Sequence, residues 1–211
     1  MKALLFDLDG TLVDSIPLWI AANLEELKKR GVTISTQQFL TDFYHHGLHY
    51  HGIVEKCGFP LEQADQYYRD RNARFETFLR EKVEWLDDAG TMLKKCAKKL
   101  PLGLLTGASR RAIEAMDVRL QLLSLFTVII TYDETGLRMK PDPYGLFLLT
   151  EKLKVNPHDC AYVGDQYVDV QAARAAGMQS WLIPTENTPP NAAAEADLVL
   201  QSIADMPLDL L

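Results

Sequence analysis

The sequence predicts an α/β protein built on a doubly wound parallel sheet, with a block of helices inserted after the first strand. Three observations carry this. Short apolar segments at Ala3 to Phe6, Leu102 to Leu105, Thr127 to Ile130, Cys160 to Val163 and Ser180 to Ile183 have the length and continuity of buried strands. Helical patterns lie between most of them, at Ala89 to Lys99, Arg110 to Leu122, Tyr144 to Leu153 and Asp169 to Ala176. Alternation of this kind implies a parallel sheet covered by helices. Between Ser15 and about Lys82 the alternation stops, and only helical periodicity and polar turns remain.

The first strand runs into Asp7-Leu8-Asp9-Gly10-Thr11. Strands of an open parallel sheet present ligands at their carboxyl ends, so Asp7 and Asp9 aim two carboxylates into one pocket. Gly10-Thr11 allows a tight turn that brings backbone amides to an anion. Unpaired buried charge is costly, which argues against a purely structural strand end; an Asx-rich turn leading into a helix cap is the structural alternative. The inserted block opens with Pro17 to Arg30, where Leu18, Ile20, Ala21, Leu24 and Leu27 make one helix face and Gly31 ends it. Further helices are expected from Thr36, from His49 and from Leu61 to Leu79. The division that results is a core of residues 1–15 and 83–211 and a helical domain of residues 16–82.

The later strands also end in chemistry. Leu105 is followed by Thr106-Gly107, a hydroxyl and a nearby amide that suit a phosphate oxygen, although Thr-Gly also makes simple turns. Lys140 stands in Lys140-Pro141-Asp142-Pro143, where prolines restrict the backbone. A lysine held there can neutralise a carboxylate and a phosphoryl oxygen, whereas an isolated loop lysine is simply solvated. The fourth strand leads into Gly164-Asp165-Gln166-Tyr167-Val168-Asp169. Asp165 could cap the following helix. Yet Asp7, Asp9, Asp165 and Asp169 converging on one sheet edge would repel, and a hard divalent cation with oxygen ligands, Mg²⁺ above all, resolves that repulsion.

Bulk composition narrows the function. The chain has 211 residues, 47% hydrophobic and 24% charged, with a net charge of -7. That balance suits a globular protein and disfavours broad nucleic-acid binding, which needs a basic surface. Cys57, Cys96 and Cys160 fit no metal spacing and suggest a reducing compartment. No apolar run approaches the ~20 residues that span a bilayer, and the brief apolar start does not read as a signal peptide. A cytoplasmic protein without membrane or nucleic-acid partners is the expectation.

The order Asp-x-Asp-Gly-Thr, strand-Thr, Lys-Pro and Gly-Asp-x-x-x-Asp resembles the haloacid dehalogenase superfamily along nearly the whole chain. The helical insert after the first motif resembles the members with a small helical cap, the phosphoglycolate-phosphatase-like and sugar-phosphatase-like hydrolases. The resemblance implies a Rossmann-like core and a Mg²⁺-dependent phosphomonoester hydrolase acting on a small phosphorylated metabolite. It implies that Asp7 is the nucleophile that forms an aspartyl-phosphate, and Asp9 the acid and base. Mg²⁺ would be held by Asp7, the Asp9 carbonyl and Asp165, with Asp169 helping through a water or from behind the ligands. Thr106, Gly107 and Lys140 would hold the phosphoryl group, with the amides of Leu8 and Asp9 and the Ser109 hydroxyl as further donors. A sugar phosphomutase of the same superfamily is the alternative, and a non-catalytic binding module a more distant one. The chain departs from the family where Asp87-Asp88-Ala89-Gly90 replaces the usual Pro-Gly and where Gly107-Ala108-Ser109 follows Thr106.

Substrate choice is expected in the helical block. His45, His46, His49 and His51 fall within seven residues, and His49 is the favoured substrate contact; a polar surface is the other reading. Tyr67 to Arg74 reads as an outward, charged helix face. Trp19 and Trp85 read as packing residues near the two junctions. Nothing in the sequence fixes an oligomeric state, and a monomer is compatible with it.

Overall fold

In the computed structural model, which describes all residues except 45, 47, 49, 187 and 211 and gives only the backbone of Leu210, the chain order is that of an α/β protein with one long insertion. It runs β1 (Ala3–Phe6), α1 (Ile16–Lys29), α2 (Thr36–Phe39), α3 (Tyr50–Lys56), α4 (Ala64–Lys82), α5 (Ala89–Cys96), β2 (Leu102–Leu105), α6 (Arg110–Leu120), β3 (Val128–Ile130) and α7 (Tyr132–Thr135). It continues through α8 (Tyr144–Leu153), β4 (Cys160–Gly164), α9 (Tyr167–Ala176), β5 (Gln179–Leu182), α10 (Pro190–Glu195) and β6 (Leu198–Val199). Two units form: Met1–Asp14 with Glu84–Leu211, and Ser15–Val83. Among the described residues no helix is long and apolar enough to cross a membrane.

The first unit holds one parallel sheet of order β3-β2-β1-β4-β5-β6. Strand β1 sits at its centre, with Phe6 beside Leu104 of β2 and Val163 of β4. This is the point where the winding reverses, and the crevice at the carboxyl ends of β1 and β4 is where open α/β sheets bind ligands. One face packs Ala3, Leu5, Leu105 and Tyr162 against Leu146 and Leu149 of α8 and Ala172 and Ala173 of α9. Close packing there needs a missing side chain: a Cβ on Gly103 would lie 2.6 Å from Leu5 Cδ2.

The observed elements depart from the sequence-based expectation mainly at their ends. Helix α6 stops at Leu120, because Gln121 turns left-handed at φ 52° and a short 3₁₀ turn follows. Helix α9 starts at Tyr167, two residues earlier than the apolar pattern suggests, because Gln166 and Asp169 form a reciprocal capping box. Strand β6 was not expected. Its two residues are too short to show a pattern, and ladder bonds from Asp197 and Leu200 to β5 define it.

Among the described residues the second unit holds helices and no strand. Ile20, Leu27, Phe39, Phe43, Ile53, Val54 and Tyr67 make its core, and Trp19 packs edge-on against Phe39. The buried Tyr67 hydroxyl donates to Asn23 Oδ1 at 2.6 Å, and the Asn23 amide donates to the Trp19 carbonyl at 2.8 Å. The expectation of an outward face from Tyr67 to Arg74 is corrected here. Ala64, Tyr67, Arg71 and Phe78 are spaced by three, four and seven residues, so they share the inward stripe of α4. Counting charges along this segment hides that periodicity.

Candidate active site

Asp7 follows the last residue of β1, and its amide donates to the Val163 carbonyl at 2.8 Å, so the sheet itself fixes its position. Asp165 follows β4 in the same way. Carboxylate oxygens of Asp7, Asp165 and Asp169 all lie within 4.8 Å of one another, and all three residues are buried. Gly10, at φ +85°, turns the chain so closely past Asp165 that a Cβ there would sit 3.0 Å from Asp165 Oδ2. That close approach, as well as the left-handed backbone, calls for glycine.

Hydrogen bonds fill in the frame. Thr11 Oγ1 donates to Asp165 Oδ1 at 2.8 Å, and Gln166 Nε2 donates to Asp165 Oδ2 at 2.5 Å. Asp165 is therefore not the helix cap; the Gln166 amide instead donates to Asp169 Oδ2 at 2.9 Å. Nor does Asp7 serve as a cap, since Ser15 holds the cap position of α1; Lys140 Nζ donates to Asp7 Oδ1 at 2.6 Å. The same ammonium donates to Asp169 Oδ1 at 2.5 Å and to the Tyr162 hydroxyl at 3.1 Å. Thr106, buried at the end of β2, donates to Asp9 Oδ2 at 3.1 Å and accepts from the Ala108 amide at 3.0 Å. Gly107 lies beside it, and a pocket lined by Thr106, Gly107, Thr135, Arg138, Met139 and Lys140 opens there.

The electrostatics follow from crowding. Burial, with the charges of Asp169 and Asp165, pushes Asp7 up to about 8 although Lys140 pulls it down. Burial and the Asp169 charge also raise Asp165. Burial opposes the charge on Lys140, but Asp169 and Asp7 outweigh it and hold the ammonium well above its usual range. An all-oxygen set of clustered acids, two of them held partly against ionisation, suits a hard divalent cation better than a soft one. The residues present therefore fit Mg²⁺.

The structure brings Asp7, Asp165, Asp169 and Lys140 together, and joins Asp9 to Thr106. Ser109 Oγ accepts from the Ala112 amide as the cap of α6. His49 lies outside the described residues. Sequence reasoning missed Tyr162, Gln166 and Thr188, whose hydroxyl donates to the Asp165 carbonyl at 2.6 Å. Only Tyr162 left a signal, a lone phenol on an otherwise apolar strand.

The haloacid dehalogenase-like hydrolase family model matches residues 4–183, and the chain belongs to that family. The chain carries a helical insert after its first strand, and the family is a class of hydrolases. It is 29% identical to the pyrophosphatase PpaX of Bacillus velezensis, over 98% of this chain and 94% of that one. It is also 29% identical to the phosphoglycolate phosphatase of Escherichia coli K12, over 85% and 80%. CbbY of Rhodobacter sphaeroides, solved in complex with phosphate, shares the fold with a TM-score of 0.77 at 21% identity, covering 98% of this chain and 96% of that one.

Proposed function

We propose that the protein is a Mg²⁺-dependent phosphomonoesterase that acts on a small phosphorylated metabolite through an aspartyl-phosphate on Asp7. The observation that carries this is Lys140, whose ammonium bridges Asp7 and Asp169 at 2.6 and 2.5 Å beside the buried acid cluster. In the first half-reaction an Asp7 carboxylate oxygen bonds to phosphorus while the bond to the leaving oxygen breaks, and Asp9 gives that oxygen its proton. In the second, Asp9 takes a proton from water as the water oxygen bonds to phosphorus and the Asp7–phosphorus bond breaks. Inorganic phosphate leaves and Asp9 is protonated again.

Other groups set the geometry for these steps. The Thr106 hydroxyl orients the Asp9 carboxyl through its 3.1 Å bond. Gly107 and Lys140 hold phosphoryl oxygens, and the Thr106 hydroxyl, with one proton to give, joins them by turning from Asp9 when the ester binds, so charge growing there meets donors. Asp7, the Asp9 carbonyl and Asp165 would hold Mg²⁺, with Asp169 supporting the cluster. When bound, the cation offsets the charge of the phosphoryl group and of the acids around it.

The names of the two 29% identical relatives, pyrophosphatase and phosphoglycolate phosphatase, support a small anionic substrate. The test is phosphate release from a panel of small phosphate esters, with Mg²⁺ and with EDTA. Metal-dependent release that Asp7→Asn abolishes is expected. Release that survives EDTA, or an isomerised ester without free phosphate, would overturn the reading.

A further inference from the structure

Asp165 is held at both ends, by its carboxylate and by its main chain. Thr11 Oγ1 donates to one carboxylate oxygen at 2.8 Å, and Gln166 Nε2 donates to the other at 2.5 Å. Those two bonds set how the carboxylate is turned. The other hold comes from the loop after β5, where Thr188 Oγ1 donates to the Asp165 carbonyl at 2.6 Å across 23 residues of sequence. That bond fixes the backbone from which the carboxylate hangs.

The backbone at this point needs an outside hold. The β4–β5 ladder reaches Gly164 beside Leu182, and the Ile183 amide donates to the Gly164 carbonyl at 2.9 Å. Asp165 stands one residue past that bond. Its predecessor has no side chain because Asp169 fills the space a Cβ would take, and glycine leaves the chain freer to turn than any other residue. Thr188 is placed to take up that freedom. Its hydroxyl accepts from the Thr185 amide at 2.8 Å, and its own amide donates to the Thr185 carbonyl at 3.1 Å, so the turn closes on itself. Pro184 precedes the turn and Pro189 and Pro190 follow it, each fixing a backbone angle. A carbonyl can only accept, so the single hydroxyl proton goes to Asp165. A threonine whose one task was to close the turn would need the lone pair that meets Thr185 and not that proton.

We propose that Thr188 is a positioning residue for the cation. By fixing the main chain of Asp165 it sets where that carboxylate stands relative to Asp7 and Asp169, and so how tightly Mg²⁺ binds. The proposal rests on the metal ligands of the phosphatase reading above and extends the site to a loop that supplies no ligand itself. Groups that orient a metal's ligands commonly carry about 10–100-fold of its affinity.

The test is calorimetry of Mg²⁺ with the wild-type protein and with Thr188→Val, Thr188→Ser and Asp165→Ala, alongside the Tm of each in EDTA. Thr188→Val keeps the branched shape and loses the proton, so the Kd for Mg²⁺ should rise at least about tenfold. Thr188→Ser, which keeps the hydroxyl, should restore most of the affinity. A residue that merely closed the turn would lower Tm in EDTA and leave Kd unchanged, and that result overturns the proposal. So does a Thr188→Ser protein as weak as Thr188→Val, and so does Mg²⁺ binding that Asp165→Ala leaves intact. If Thr188→Val does not fold, Thr188→Ala, which puts no methyl in place of the hydroxyl, is read by the same Kd. Phosphate release is a separate readout. If no ester is hydrolysed but Mg²⁺ affinity depends on the Thr188 hydroxyl, the phosphatase reading fails and this one stands. If esters are hydrolysed and Thr188→Val binds Mg²⁺ as tightly as wild type, the reverse holds. A wild-type protein that binds no Mg²⁺ overturns both.

Discussion

Lys140 and Asp7 lie 133 residues apart in sequence, yet the ammonium of one donates to the carboxylate of the other at 2.6 Å. Asp169 takes the same ammonium at 2.5 Å, so one lysine offsets part of the charge of two acids. Without it the nucleophile would sit in a buried, acid-lined crevice and lose the nearest protein cation that favours its ionised form. Lys140→Met should therefore lower kcat by about 10²–10³-fold, the loss typical of removing one fixed donor to developing charge. Steady-state kinetics on a folded, monodisperse variant checks this.

Tyr162 Oη is within 3.1 Å of the Lys140 ammonium and 3.5 Å of the Leu105 carbonyl, and the residue is buried. Tyr162→Phe keeps the ring and removes the hydroxyl that accepts from Lys140 at 3.1 Å and lies 3.5 Å from Asp169 Oδ1. A fall in kcat of about tenfold with little change in Tm is expected, in line with ~1.5 kcal/mol for such a bond. Kinetics and a melting curve on the same sample read both quantities.

Stability should respond to pH and Mg²⁺ together. Asp7 is raised to about 8 and Asp165 is raised as well. Groups raised on folding bind more protons in the folded state, so their contribution is full below the ordinary carboxylate range and is lost as pH climbs through the folded value. For Asp7 that loss runs from the carboxylate range to about 8. A bound cation opposes the repulsion that emerges over this window. The rise in Tm on adding Mg²⁺ should thus be larger at the top of the window than at the bottom, as scanning fluorimetry will read. An equal rise at both ends would contradict the proposed ligands.

Gly164 leaves no room for a side chain, because an added Cβ would run into the Cβ and carboxylate of Asp169. The near atoms include the root of that side chain, so rotating its tip cannot relieve the clash. Gly164→Ala should destabilise the protein by about 1–3 kcal/mol, as overpacking does. Activity should fall too, since Asp169 also holds Lys140. Tm and kcat of this one variant check both.

How much of this was legible in the sequence depended on whether the signal was local. Strands β1, β2 and β4 show as unbroken apolar runs, and the acids or threonine that follow them are visible because a strand end is a fixed place. The Lys140–Asp169 and Thr106–Asp9 bonds were not legible, since each joins residues from separate elements. Arg71 was misread for a different reason. Its neighbours in sequence are polar, and only its spacing from Ala64, Tyr67 and Phe78 places it inside. Strand β6 left no pattern because two residues cannot show a period.

Within the sheet-bearing unit, the backbone leaves and returns at neighbouring points. Asp14 N–H donates to the Glu84 carbonyl at 3.1 Å, Leu86 N–H to the Leu12 carbonyl at 2.9 Å, and Val13 bridges Trp85. An excursion that starts and stops at one stitched doorway can be lengthened, shortened or traded for another without retuning the residues that break the bond. Recombination between relatives at these two positions would thus exchange the helical unit and leave the sheet and its acid cluster as they stand.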